Sequence, residues 1–521
     1  MRNKVVFVVA VMFSIFLSVL SMCPQVTAST ITVPDDYSTI QAAVDAASGG
    51  DTVSVLSGTY NENLIIDKQI SLVGEGKETT VIGAGTGHVV RIISNGVEVS
   101  GFTVKGSGNI YIGPFEGGDA GIMLDGVMEC TISGNTLTQN TVGIFLNASD
   151  KNTIESNTVY GHTYDGIYGR YSDSNVIRGN NATSNGGHGG IYLNPENSNN
   201  LIEDNLCTHN PDHGIKIQTD SNYNVLRNNV CLYNGDGIFL GDAHYNEITN
   251  NICSNSSERP GITLRLSENN TVSNNLIEYN PDHGLDLDFL NFNNTLKNNK
   301  CSYNRNGIAL RLSSHHNKII NNTCTYNEGA GIEIEHSDYN EITRNTFSMN
   351  SDGIKIMMID SNPDNEWNSI VQWDYAMEKF KDLVEDRVAR GIKIESEDSI
   401  GNEIHRNIVE GNILFGIVSE IPSDIDATYN WWGDASGPFN PQENPDGKGN
   451  EIQGRGEGSV VFEPWLESSS TETEEQKDVE KTETAGKTDG EEGFNVDNTY
   501  LIIIAIVILI AILLGYKRFK K

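Results

Sequence analysis

Along most of this chain the apolar residues neither gather in long blocks nor follow a helical period; they alternate with polar residues in short runs. The recurring phrase is Gly, a branched aliphatic, a variable residue and usually a second aliphatic, as in Gly214-Ile215-Lys216-Ile217. Thirteen copies begin at Gly121, Gly143, Gly166, Gly190, Gly214, Gly237, Gly261, Gly284, Gly307, Gly331, Gly353, Gly391 and Gly416. Successive glycines lie 22 to 25 residues apart, except for a gap of 38 between Gly353 and Gly391. Alternation suits a strand with one buried and one wet face, so Ile215 and Ile217 are predicted to point inward and Lys216 outward. A fixed period of this length marks a solenoid.

A second phrase follows each glycine phrase: Asn224-x-Leu226-x-x-Asn229, Asn246-x-Ile248, Asn317-x-Ile319, Asn340-x-Ile342-x-x-Asn345 and Asn402-x-Ile404-x-x-Asn407. Each reads as another short strand closed by an Asn turn. Three short strands in about 23 residues make one coil of a parallel β-helix and leave no room for the helices of a helical repeat. The asparagines are expected to tolerate left-handed backbone and to bond the next coil's amides in a ladder. The glycine column is expected to mark a tight bend. At one strand spacing per coil, about sixteen coils give a rod on the order of 75 Å.

The flanks divide the chain further. Residues 1–28, with Arg2 and Lys4, the apolar run Val5 to Leu20 and Val26-Thr27-Ala28, read as a signal peptide. Residues 29–120 form an N-terminal cap and irregular first coils; a capping box at Ser38-Thr39-Ile40-Gln41 opens a short helix that plugs the solenoid's end. The regular repeats fill 121–420 and a closing segment 421–467. A helical insertion is expected at about 373–389, where Trp373, Met377, Phe380, Val384 and Val388 fall at helical spacing. It is expected to shield a flank of the rod. Residues 468–499, rich in Thr, Glu, Lys and Ser, read as a disordered stalk. Residues 500–516 read as a membrane span and 517–521 as a basic cytoplasmic tail, which places the rod outside the cell.

Val33-Pro34-Asp35-Asp36-Tyr37-Ser38-Thr39-Ile40-Gln41, Gly50-Asp51-Thr52-Val53, Gly58-Thr59-Tyr60-Asn61-Glu62 and Leu72-Val73-Gly74 resemble the opening of pectin-lyase-like right-handed β-helices. The Gly-Ile and Asn-x-Ile repeats resemble the NosD-type family, grouped with carbohydrate-binding proteins and sugar hydrolases. Asn430-Trp431-Trp432-Gly433, Gly437-Pro438 and Phe462-Glu463-Pro464-Trp465-Leu466 are similar to the closing segment of archaeal and bacterial surface β-helices. The resemblance implies an all-β fold, a single right-handed parallel β-helix, in an archaeal-type surface protein. It also implies, remotely, a copper-delivery accessory role.

The formal charge is −35, and removing the signal (+2) and tail (+4) leaves −41 on residues 29–500. Such a surface excludes nucleic acid, whose phosphates need a basic groove. Cys207, Cys231, Cys253, Cys301 and Cys324 each lie two residues after a ladder Asn, with Ile277 and Phe347 at the same position, and are expected to be inward free thiols. Evenly spaced thiols without Cys-x-x-Cys or a nearby His argue against copper, and there is no compact ligand motif for calcium or zinc. No cofactor is predicted. Glycosylation sequons stand at Asn147, Asn181, Asn255, Asn269, Asn293 and Asn321.

The outward position of the glycine strands collects Phe145, Tyr168, Tyr192, Lys216 and Phe239, and two residues on stand Arg170 and Asn194. An exposed aromatic stripe flanked by charges and amides suits a polysaccharide, whose rings offer apolar faces and many hydroxyls. A solvent-exposed, purely structural stack accounts for the same residues. Just before the glycines, Asn210-Pro211-Asp212-His213-Gly214 recurs as Asn280-Pro281-Asp282-His283-Gly284, with Asp236 one coil above His213. Asp212, His213 and Asp236, with Lys216 nearby, suit proton abstraction beside a uronate carboxylate. That edge is loosely similar to the Asp-Pro-His arrangement of alginate epimerases and lyases, although the order here is Pro-Asp-His. The sequence thus favours a membrane-anchored surface protein that binds glycans or contributes to the envelope. The alternatives are a lyase, hydrolase or epimerase of uronate polymers and a structural spacer.

Overall fold

In the computed structural model each coil of the repeat is three short strands joined by turns, and the description covers residues 28–358, 377–389, 399–455 and 458–469. The coil that begins at His213 shows the plan: strands His213–Gln218, Val225–Arg227 and Val230–Leu232, followed by Asp236–Gly241 of the next coil. Like strands stack in parallel into three sheets: 15 strands from the glycine phrase, 17 from the Asn-x-Ile phrase and 14 from the segment after it. The register is in phase, so that Ile191, Ile215 and Ile238 pair in sequence, as do Tyr192, Lys216 and Phe239. The inward aliphatics fuse into one continuous core along the rod.

Three columns of buried asparagine pin the turns. The Asn205 N–H donates to Asn229 Oδ1 at 3.1 Å, while Asn229 Nδ2 donates to the Ile202 carbonyl at 2.9 Å and to Asn251 Oδ1 at 3.0 Å. Each amide therefore satisfies backbone groups that a buried turn would otherwise leave unpaired. The left-handed backbone belongs to the residue before the ladder Asn: Asn228, Tyr233 and Tyr223 have φ of 55°, 57° and 59°. The division is physical, since the left-handed residue aims its side chain at solvent and the following Asn turns in.

The glycine column also differs from expectation. Gly214 has no left-handed φ; a Cβ there would lie 2.6 Å from the Gly237 carbonyl and 2.8 Å from Asn234 Nδ2. Close approach of the asparagine ladder to the next coil, and not a bend, excludes every other residue. The thiols of Cys207, Cys231 and Cys253 stack in register with Ile277, Cys301, Cys324 and Phe347, all buried and free.

Both ends of the core are covered. Helix Ile40–Ala46, with Thr39 as N-cap, buries Ile40, Ala43 and Val44, and its first amides donate to the Glu62 carboxylate at 2.9 Å. At the other end Trp432 and Phe462 are fully buried. The inserted helix Lys381–Ala389 lies against the flank: Val384, with Phe380 and Met377 just before the helix, packs on Leu266, Phe289, Leu290, Phe292 and Leu312. Among the described residues no helix is long and apolar enough to cross a membrane. The signal, stalk, span and tail expected at 1–28, 468–499, 500–516 and 517–521 fall almost wholly outside the described residues, as do Trp373 and Gly391.

Candidate functional site

The outward face of the glycine-phrase sheet carries a groove of about 950 Å³ across coils from His213 to Arg311. Two aromatics from irregular segments line it: Phe115, on a loop from the irregular N-terminal region, and Phe380, beside the inserted helix. Six lining residues are Lys or Arg and seven are Asp. The chain as a whole has two acids per base, 70 to 35, so cations are concentrated here.

In-phase stacking brings the assigned triad together. His213 and Asp236 occupy the same strand position on adjacent coils, and His213 Nδ1 lies 3.3 Å from Asp236 Oδ2, although without hydrogen-bond alignment. His213 Nε2 lies 3.3 Å from Asp212 Oδ2. The ring of His213 leans on Phe239, centroids 4.9 Å apart. Lys216 Nζ sits 5.4 Å from the Tyr192 ring centre and 5.5 Å from that of Phe239, a cation held between two π faces, and reaches Asp212 Oδ2 at 3.8 Å.

Burial sets the proton inventory. Desolvation lowers His213 well below the usual imidazole value, with Lys216 adding to the effect, so the ring is neutral. Desolvation pushes Asp236 up to about 7. Burial would also raise Asp212, but His213, Lys216 and Arg259 outweigh it and hold that carboxyl below its ordinary value. Burial lowers Lys216 against the pull of Asp212, Asp165 and Asp236. One carboxylate that stays ionised and another that titrates near neutrality thus stand on either side of one imidazole, separated in acidity by their environments.

Arg259, beyond the triad assigned from sequence, bonds Asp212 from two coils away. On the coil between them, Gly235 tolerates no side chain, since a Cβ would collide with the Asp212 carbonyl. Further along, Arg265 pairs with Asp288, and Arg311 pairs with both Asp286 and Asp288. Phe115 and Phe380 were equally beyond local patterning; only the repeat spacing of Arg259, Arg265 and Arg311 was a usable signal.

The expected exposed aromatic stripe is corrected. Phe145, Tyr168 and Tyr192 are at most 2% exposed, Asn194 is buried and Phe239 is 7% exposed. An antiparallel flap, strands Tyr111–Gly113 and Gly117–Gly118, lies over the first three. Tyr168 Oη donates to Pro114 O at 2.7 Å, Asn194 Nδ2 to the same carbonyl at 2.7 Å, and Arg170 Nη1 to Phe115 O at 2.7 Å. Tyr111 stacks on Tyr164 with centroids 3.8 Å apart. An irregular N-terminal segment supplied apolar cover that strand alternation could not reveal. Lys216 and Phe239 lie beyond the flap and line the groove. The tyrosines that are exposed, such as Tyr279, Tyr303 and Tyr326, stand at left-handed turn positions and stack at 4.8 and 5.3 Å.

Among the sequons, Asn255, Asn269, Asn293 and Asn321 occupy left-handed turn tips, the last two exposed. Asn147 accepts from Arg170 Nε at 2.6 Å and donates to Asp125 at 2.8 Å; Asn181 accepts from Thr183 Oγ1 at 2.6 Å.

The fold and its in-phase ladders define a right-handed parallel β-helix repeat protein. Residues 120–259 match the family model for the right handed beta helix region, and residues 207–379 match that for the periplasmic copper-binding protein NosD. Over 103 residues, 19% of the chain, it is 27% identical to a cell surface glycoprotein of Methanothermus fervidus, and the match spans 16% of that relative's length. Pre-mature bacteriophage phi29 gene product 12 superposes with a TM-score of 0.51 at 12% identity, covering 59% of this chain and 51% of that one. The A-module of an Azotobacter vinelandii mannuronan C-5 epimerase gives 0.48 at 15% identity, over 62% and 92% of the two chains. At 12% identity the likeness to the phage protein is one of fold alone. Copper does not fit the residues present: the stacked thiols are buried one per coil, and the described residues hold no group of three or more His, Cys, Asp or Glu arranged for a metal.

Proposed function

We propose that this chain is a cell-surface β-helix that holds a segment of acidic polysaccharide in the groove lined in part by Phe115 and Phe380. The observation that carries the reading is Lys216, clasped between Tyr192 and Phe239 beside Asp212 and Arg259, in a groove richer in cations than the chain around it. A sugar carboxylate meets Lys216 and Arg259 there, while Phe115 and Phe380 in its lining offer apolar surface to sugar rings. A surface location is supported by the match to the Methanothermus cell surface glycoprotein, and the signal and span read from sequence make the anchor part of this proposal.

The contact of His213 with Asp236 favours a second reading, in which the same groove abstracts a proton beside a uronate carboxylate, as a lyase or epimerase does. Neutral His213 takes the proton, ionised Asp212 stabilises the imidazolium, and Lys216 with Arg259 offsets charge on the substrate carboxylate.

One experiment separates these readings. The full chain is incubated with uronate and neutral polysaccharides, and both retention and release of unsaturated or reducing ends are scored. Retention lost in Lys216→Ala, with no product, establishes binding. Product that disappears in His213→Ala establishes catalysis. Neither retention nor product across the panel defeats both readings and leaves the rod as a spacer.

A further inference from the structure

Away from the groove, at the turn between the Asn-x-Ile sheet and the sheet after it, Arg344 and Arg406 form a pair with no anionic partner among the described residues. Their isolation is unusual within this molecule. Eight other arginines pair with a carboxylate. Arg170 bonds Asn147 and the Phe115 carbonyl. Among the arginines whose side chains are described, the two without such partners are neighbours in one column.

Coil stacking forces the adjacency. Thr343 pairs in register with His405, the Arg344 N–H donates to the His405 carbonyl at 3.4 Å, and the Arg406 N–H donates to the Tyr429 carbonyl at 2.9 Å. Both arginines have a left-handed φ of 58°, the geometry that sends side chains outward at this turn. Two guanidiniums are thus rooted about one strand spacing, ~4.8 Å, apart on the same surface. They line a hollow of about 330 Å³ with Thr343, Thr428, His405 and the half-exposed ring of Tyr429. Of the two carboxylates at its edge, Glu341 pairs outside it with Lys318 at 3.5 Å, and Asp426 lies 3.7 Å from His405 and accepts from Thr428 Oγ1 at 2.8 Å.

We infer that Arg344 and Arg406 form an oxyanion site, taking a carboxylate, sulfate or phosphate group that bridges two guanidiniums on adjacent coils. Like charges held this close are relieved by one shared anion, and the planar forks of two arginines supply parallel donors to its oxygens. Thr343 adds a hydroxyl at the hollow's wall, and Tyr429 gives an apolar surface for a sugar that carries the anion. This inference does not depend on the groove.

The test is calorimetric titration of the full chain with sodium sulfate, sodium phosphate and sodium glucuronate, at ionic strength fixed with chloride. The wild type binds at least one of them, and the Arg344→Gln/Arg406→Gln variant loses about tenfold or more in affinity. Arg178→Gln, which removes an exposed paired arginine on the same sheet, leaves affinity unchanged. Unaltered melting of the double variant shows that the loss is local. Glucuronate bound as tightly as sulfate or phosphate, or more so, identifies a sugar-borne anion; preference for the inorganic ions identifies a free one. The inference is overturned if the wild type binds none of the three, or if the double variant binds as the wild type does.

Discussion

His213 Nδ1 and Asp236 Oδ2 approach to 3.3 Å because two coils in phase put the same strand position of each at the floor of one groove. Desolvation holds the imidazole neutral and lifts the carboxyl to about 7. A carboxyl whose folded value lies above its unfolded value binds more protons in the fold. Its contribution to stability is complete below the unfolded value near 4 and is lost as pH rises through 7. Asp236→Asn is therefore expected to flatten the decline in stability between pH 5 and 7 by roughly 2 kcal/mol, read from urea unfolding at each pH. Parallel profiles for wild type and variant would contradict this assignment.

The ladder and its left-handed neighbours should respond in opposite ways. Asn229→Ala strands the buried Asn205 N–H and the Ile202 carbonyl, at a cost of roughly 2 kcal/mol or more. Asn228→Gly, one residue earlier at φ 55°, relieves a left-handed backbone and should change stability by less than about 0.5 kcal/mol in either direction. Denaturant midpoints of the two variants check the contrast, and equal losses would refute the division of labour between the two positions.

The flap is held by few bonds. Tyr168→Phe removes the donor to both Pro114 O and Asn194 O, so residues 107–118 should open more often and be cut sooner under limited proteolysis, with the rest of the rod intact. Faster cleavage at that segment, without a change in global melting, is the expected result. An unchanged digestion pattern would show that ring packing alone holds the flap.

The column thiols are shielded by the whole core. In the native protein Cys207, Cys231, Cys253, Cys301 and Cys324 should resist a thiol reagent, and all should react once the rod is unfolded. Rapid native labelling of any of the five would place that thiol outside the core.

The solenoid, its period and its inward residues were legible in the sequence because each coil repeats the same local pattern, and stacking turns a period in sequence into a column in space. The same rule placed Asp212, His213 and Asp236 at one edge and the cysteines in one interior column. Tertiary structure decided what covers those columns. Phe145, Tyr168 and Tyr192 alternate as exposed strand residues do, yet a flap from the irregular region lies over them, and nothing local to the strands encodes that contact. Arg259 reaches Asp212 across an intervening coil, and Phe380 comes to the groove because Val384 finds Leu266, Phe289 and Leu312 on the flank. Periodicity specifies contacts between like positions; contacts between unlike segments depend on where the chain's irregular parts fold back, and those are settled by packing.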